Sequence, residues 1–511
     1  MYRRLKATAD AYITNKIISN DFRATDSNTG EAATLDLFKI YDENSVAGDD
    51  DKVELSRILI KFDLNPLRAL TGSSLDISDS SFTCKINLYD VFGGQTLPSN
   101  FTVIAFPLSQ SFDEGVGRDV IKFQDIGATN FLTASVSGDS AVGWFASGAN
   151  AQGGLGTPSI DIMTTGTLSS EVKNLFATQV FTAGTEDLSI DVTTAISGVL
   201  SEQIPDCGFR LSFSGTQETD EKTRFVKRFG SRHNSNTRKR PRLIVEFNDT
   251  IQDHHDDFLF NVTGSIFLNN YERGSLANII GSPDGGRVTG SNSLLVNLVT
   301  GSFSRVVTGS QHQFGPSLFA SGVYSASFAV NGFSSAIVSG TQKISDFVVK
   351  SGSITFTTFW QSLDHAVGFH TGSLTVKSSE TTGFRNTPPR FQINIADLKS
   401  VYKTGQTVRL RCVAFDADKK VKAVKTPIER KSAILTKAYY RVRDAYTDEV
   451  IVPFEETNNS TLMSTDTQGM YFDIYTDDLE PGRVYAFDVK VTQRSNTQVF
   501  KSVGGTFRIE E

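Results

Sequence analysis

The sequence predicts an all-β protein built of three successive β-sandwiches. Three observations predict it. Short runs alternate apolar and polar residues with a period of two, the repeat of a half-buried strand. Composition points the same way, because 41 Gly and 38 Phe stand against only 4 Met and 2 Trp, and many short strands joined by turns around an aromatic core use residues in that ratio. The 511-residue length suits about three domains of ordinary size, each able to bury its own core.

Taken in order, the first strong run is Arg57 to Leu64. Ile58, Ile60, Phe62 and Leu64 fall on one side of an extended chain, and Arg57, Lys61 and Asp63 fall on the other. That is one sheet face. The same alternation recurs in Phe82 to Leu88, in Phe209 to Phe213 and in Leu243 to Phe247, and four such strands imply a sandwich. Asp191 to Leu200 differs. Asp191 or Thr193 can cap a short helix there, with Ile196, Val199 and Leu200 on its apolar face.

Four segments in this order also carry a resemblance: Ala9-Asp10-Ala11-Tyr12-Ile13, Arg57 to Leu64, Asp191-Val192-Thr193, and Arg240 to Phe247. Together they resemble the DNRLRE family of jelly-roll modules over residues 1–250, about half of the chain. Phe112-Asp113-Glu114-Gly115-Val116-Gly117 is similar to the family's acidic-glycine segment, with Phe where an indole is common, and Trp144 to Ala149 is a loose echo. The resemblance implies a non-catalytic adhesive or structural unit of a cell-surface or viral assembly.

Residues 250–257 are polar and follow the closing strand, which places a linker there and a second domain over 251–387. That domain repeats a Thr-Gly-Ser punctuation at Thr263, Thr289, Thr300, Thr308 and Thr371. The spacing is too irregular for a solenoid, and each copy is expected to be a hairpin turn. Such stretches resemble those of structural proteins from large tailed bacteriophages. Thr387-Pro388-Pro389 marks the next boundary, and the alternating runs 408–414, 439–443 and 485–491 make 388–511 resemble an immunoglobulin-like domain. Cys412 sits where such a domain places a core cysteine, but no later cysteine follows it. The inter-sheet disulfide of antibody domains is excluded, so packing alone must hold this sandwich.

Cys84, Cys207 and Cys412 are odd in number and scattered, so all three are expected to be free thiols in a protein folded in a reducing cytoplasm. The basic N-terminus has no apolar run behind it, and no stretch reaches the roughly 18 apolar residues of a membrane span. No signal peptide and no membrane partner are expected. A net charge of −7 is small for this mass and argues for neither nucleic acid nor an anionic membrane.

No cofactor is expected, and no enzyme. The chain has no G-x-x-x-x-G-K loop, no H-E-x-x-H, no G-x-S-x-G and no paired C-x-x-C. His365 and His370 are five apart and face opposite sides of a strand. His254 and His255 lie in a polar loop with Asp253, Asp256 and Asp257, read as a solvated linker. Asp49-Asp50-Asp51 and Asp113-Glu114 offer oxygens for calcium without the spacing of an ordered loop, and are read as exposed loops.

The one dense cluster is basic. Arg224, Lys227, Arg228, Arg232, Arg238 and Lys239, with Lys222, Arg240 and Arg242, are interleaved with Phe225 and Phe229. Such a set can bind phosphates and stack on bases. It can equally be the last hairpin of the first module, with its charges in solvent and both phenylalanines packed beneath. The cluster runs straight into the closing strand, which favours the hairpin, and Arg224, Lys227, Arg228, Arg232, Arg238 and Lys239 are the expected interface toward acidic patches on neighbouring subunits. The expected function is a structural subunit of a tailed-bacteriophage virion, in the neck, collar, tail or baseplate. Its expected partners are other virion proteins and copies of itself. The alternative is a carbohydrate-binding or host-adhesion module, which would expose two or three aromatics in one groove.

Overall fold

The structure, a computed structural model, describes residues 1–281, 286–378, 390–417, 432–493 and 496–511. It is all-β, with 47% strand and 8% helix. The expected junction at Thr387-Pro388-Pro389 lies outside the described residues. The chain forms two compact units: residues 3–69 with 82–246, and residues 1–2 and 70–81 with 247–511.

A ten-stranded sheet frames the N-terminal unit: β1 (Tyr2–Thr14), β2 (Thr34–Tyr41), β3 (Val53–Phe62), β4 (Thr83–Leu88), β5 (Phe101–Pro107), β6 (Ala177–Phe181), β7 (Leu188–Asp191), β8 (Phe209–Phe213), β9 (Arg224–Gly230) and β10 (Arg242–Glu246). Their order is β6-β5-β8-β3-β1-β10-β4-β7. The second half of the wall runs from β3 to β2 and from β2 to β9. It then returns to the residues just after β4, where Val91 N–H donates to the Arg228 carbonyl and Gly230 N–H to that of Tyr89. The sandwich thus closes into a ring, which removes sheet edges that would otherwise be unpaired. Inside it Phe101 stacks on Phe181 at 4.7 Å and meets Phe213 edge-on at 5.4 Å.

The outer face of β1-β3-β8-β5 departs from the period-two expectation. Arg57 is buried there rather than solvated, and so is Arg210 on β8. The long excursion between β5 and β6 covers this face: Leu108, Phe112, Ala134, Trp144 and Ile162 pack on Ile13, Leu59, Ile104 and Phe106 in a second core. Period two reports only that opposite residues differ, and a sheet covered twice carries apolar and paired polar residues on its outer face as well. The expected short helix is present as Thr193–Leu200, with Ile196, Val199 and Leu200 buried. Neither Asp191 nor Thr193 is its cap: Val192 holds that place, and Asp191 instead accepts the Thr193 N–H (2.9 Å) and hydroxyl (2.6 Å).

In the C-terminal unit the buried apolar residues fall into two clusters, one spanning 258–376 and one spanning 395–509. The first lies on a seven-stranded sheet backed by the helix Ile344–Ser351. Thr300-Gly301-Ser302 is a hairpin turn there, with Gly301 at φ +55°. Thr308 and Thr371 are not turns, since Gly309 and Gly372 lie within the strands Phe303–Gln313 and Gly368–Lys377. A Cβ on Gly309 would come within 2.4 Å of Leu294 Cδ1, so close packing, and not chain reversal, requires glycine at that position.

The second cluster lies in a sandwich of four-stranded and six-stranded sheets. Tyr485 Oη accepts the Glu480 N–H (2.8 Å) and donates to its carbonyl (3.0 Å), the arrangement of a tyrosine corner. Cys412 is buried in this core without a disulfide. Residues 70–81, expected within the jelly roll, join the C-terminal unit, where Asp76 accepts the Ser317 N–H at 2.7 Å.

Candidate functional site

The basic hairpin is built on β9, and a β-bulge decides which way its side chains point. Arg224 pairs with Lys39, but Lys227 pairs with Leu37, so three residues of β9 span two of β2. The extra residue breaks the alternation. Phe225 turns out to solvent, while Arg224, Lys227 and Phe229 all face inward. The expectation of two phenylalanines beneath a charged surface is therefore corrected at Phe225, Arg224 and Lys227.

Lys227 has no exposed surface. Its ammonium donates to Asp90, to the Gly184 carbonyl (2.9 Å) and to the Glu186 carbonyl (2.8 Å), and it lies 5.0 Å from the Phe229 ring centroid and 5.5 Å from that of Phe181. Three donors meet three acceptors, which is what a buried ammonium requires. Arg224 grips Asp220 bidentately at 2.7 and 2.6 Å, and Lys39, also buried, bonds the same carboxylate at 2.6 Å. Arg224 first, and Lys39 after it, hold Asp220 well below the usual carboxylate range.

Arg228 and Arg232 remain partly exposed, yet both are paired. Arg228 bonds Asp36 at 2.8 and 2.7 Å, and Arg232 bonds Glu114 at 2.5 and 2.6 Å. Arg238 and Lys239 end a short 3₁₀ turn, Thr237–Lys239, in which the Asn236 side chain accepts the Arg238 N–H. Both are half-buried. The structure thus brings the six residues along one hairpin and its exit, with four of their charges joined to carboxylates of the same unit.

The other candidates are structural in their surroundings. Asp113 accepts the Val136 N–H at 2.7 Å. Asp49 pairs with Arg23, whose guanidinium also reaches the Asp51 and Val53 carbonyls. His254 Nδ1 accepts the Ser265 N–H at 3.2 Å, and His255 Nε2 lies 2.7 Å from the Ser373 carbonyl. Among the described residues, no three His, Cys, Asp or Glu side chains are placed to hold a metal.

Sequence reasoning passed over two polar centres. One is Asp161, fully buried, which accepts the N–H groups of Phe145 (2.8 Å), Ala146 (3.0 Å) and Ala151 (2.8 Å). Arg57 and Arg210 hold the same loop through the Gly148 (2.6 Å) and Ala149 (3.0 Å) carbonyls. The other joins three segments around Asp10 and Glu114. Asp10 N–H donates to Glu114 Oε1 (2.9 Å), Arg232 N–H donates to Asp10 Oδ2 (2.6 Å), and His233 Nε2 lies 3.4 Å from Glu114 Oε1. The only signal in the sequence was an acid at position 10 amid small apolar residues.

No family model matches the chain, and no curated protein matches it. Among solved structures, the adhesin InvE of Yersinia pseudotuberculosis is similar at 14% identity over 49% of this chain and 55% of its own, with a TM-score of 0.15. The chain thus spans about half the length of that adhesin. The BSP domain of a biofilm-associated protein aligns at 8% identity over 100% of this chain and 90% of its own, also with a TM-score of 0.15. Trypsin-activated alpha-2-macroglobulin from Escherichia coli follows at 10% identity, over 98% and 31%, with a TM-score of 0.13.

Proposed function

We propose that this chain is a non-catalytic structural subunit of a tailed-bacteriophage virion, in its neck, collar, tail or baseplate. It works through interfaces with other virion proteins and with copies of itself. One observation supports the non-catalytic part most directly: Arg224, Lys227, Arg228, Arg232, Glu114 and Asp220, the side chains best suited to chemistry, pair with one another or with neighbouring carboxylates inside a closed β-scaffold. Groups so engaged hold segments together. The resemblance of residues 1–250 to DNRLRE modules, and of the Thr-Gly-Ser stretches to phage structural proteins, supplies the virion part of the reading.

Purified protein should show no hydrolase, transferase or nuclease turnover; robust turnover abolished by Asp113→Ala would overturn this. Cryo-electron microscopy of the intact assembly should find several copies related by rotational symmetry. A single unpaired copy, or its absence from the particle, would contradict the proposal. The half-exposed charges Arg228, Arg232, Arg238 and Lys239 are the basic surface to look for at those contacts.

A specific observation favours the adhesion alternative enough to test it. Phe22 is exposed and lies 5.4 Å from the partly exposed ring of Phe123, the kind of aromatic pair on which a sugar ring stacks. Glycan-array binding lost on Phe22→Ala would favour that alternative.

A further inference from the structure

Asp10 departs from the pairing found around it. Its carboxyl is fully buried on β1; Oδ2 accepts the Arg232 N–H, and Oδ1 has no hydrogen-bond partner. The guanidinium of Arg232 gives both arms of its fork to Glu114. One cation therefore serves two carboxyl groups, and the geometry assigns it to Glu114. The charges that act on Asp10 are Glu114 from the 112–118 segment and Arg232 from the segment after β9; His233 lies beside Glu114, and β10, the other neighbour of β1, carries Arg242 and Glu246. Behind Glu114, Glu31 is taken by Arg118 at 2.8 Å. Across the sheet, β3 offers only Ile60.

An ionised Asp10 would be a second carboxylate in this spot, desolvated and beside Glu114, without a cation of its own. Burial, the largest effect, pushes its carboxyl up to about 7.

What the cluster holds is the start of the excursion that covers the sheet. Asn28 donates to the Glu114 and Thr129 carbonyls (both 2.7 Å) and accepts the Gly30 (3.1 Å) and Gly117 (2.8 Å) N–H groups. The two segments approach so closely that a Cβ on Gly30 would lie 2.0 Å from the Glu114 carbonyl oxygen, and one on Gly117 would lie 2.1 Å from that of Asn28. Chain packed this tightly does not yield gradually when it is disturbed. On either side of this segment, Phe112, Ala134 and Trp144 of the cover pack on the sheet.

We propose that Asp10, Glu114 and Arg232 form a proton-operated latch on this cover. With the proton on Asp10, Glu114 keeps Arg232 and the cover stays seated. When that proton leaves to solvent, two carboxylates compete for one guanidinium and the 112–136 segment loosens. The latch requires no particular partner, so it stands apart from the virion reading.

Hydrogen exchange of peptides covering 112–136 in the full chain, corrected for the intrinsic pH dependence of exchange, tests it. Protection should fall roughly tenfold between pH 6 and pH 8, the change that follows when a carboxyl with a midpoint near 7 opens to its ordinary value. Asp10→Asn keeps an acceptor for the Arg232 N–H but cannot ionise, so its protection should stay flat. His233→Gln removes the imidazole beside Glu114 and should behave like the wild type. A flat wild-type profile overturns the proposal, as does a pH dependence that survives Asp10→Asn or vanishes in His233→Gln. Should Asp10→Asn not fold, an NMR titration of the Asp10 carboxyl in the wild-type chain decides: a midpoint near 7 supports the latch, and an ordinary carboxylate midpoint refutes it.

Discussion

Lys227 shows how much a single buried charge can fix. Its ammonium ties β9 to Asp90 and to the 184–186 loop from inside the N-terminal unit. Lys227→Met should fit among the phenylalanines yet leave Asp90 without its cation, which costs about 3–5 kcal/mol when a buried pair is broken on one side. Urea denaturation measures this, and a loss below about 1 kcal/mol would mean that Asp90 finds water instead. The three cysteines make a second case. All are free and buried, and burial pushes the Cys412 thiol up to about 12 and that of Cys84 well above its ordinary value. A thiol held protonated is a poor nucleophile. The native protein should therefore resist maleimide at pH 8, while the denatured chain should take up three equivalents by mass. A disulfide between any two would be inconsistent with the cores in which they sit.

At the scale of an element, the same Thr-Gly-Ser triplet serves more than one purpose. Gly301 reverses the chain, whereas Gly309 sits mid-strand under Leu294. Gly309→Ala should cost about 1–3 kcal/mol through overpacking. Gly332 has nothing within 4 Å of its would-be Cβ, so Gly332→Ala should stay within about 0.5 kcal/mol of the wild type. Equal effects in thermal denaturation would show that strand packing is not what Gly309 serves. The bulge in β9 belongs to this scale too. It places Arg224 and Lys227 on the same side as Phe229, something no fixed period predicts.

For the whole molecule, the two units divide the chain near residue 247, with residues 1–2 and 70–81 belonging to the second. Within that second unit, residues 251–253 are stitched to the immunoglobulin-like sandwich: Thr465 N–H donates to the Ile251 carbonyl (2.8 Å), Gln252 Nε2 to that of Met463 (2.8 Å), and the Thr465 hydroxyl to that of Asp253 (2.8 Å). A chain ending at residue 387 loses all three bonds. It should keep the cooperative calorimetric transition of the N-terminal unit while the transition of the remaining 247–387 part falls in temperature. Loss of both transitions would mean that the N-terminal unit does not fold independently.

Local pattern was enough to give the fold class, the strands around Arg57 to Leu64 and Leu243 to Phe247, the short helix Thr193–Leu200 and the hairpin turn at Thr300–Ser302, because each depends on residues a few positions apart. It could not show that Arg57 and Arg210 are buried, since their cover arrives from the excursion between β5 and β6, about 50 or more residues away. Nor could it show which basic residues of the hairpin stay exposed, because one inserted residue in β9 sets that, or that Asp10 lies beside Glu114 and Arg232. Glu114 and Arg232 are 104 and 222 residues from Asp10 along the chain. Charge reads along a sequence as composition; only the fold decides which charges meet, which lose water, and which carboxyl is left without a cation.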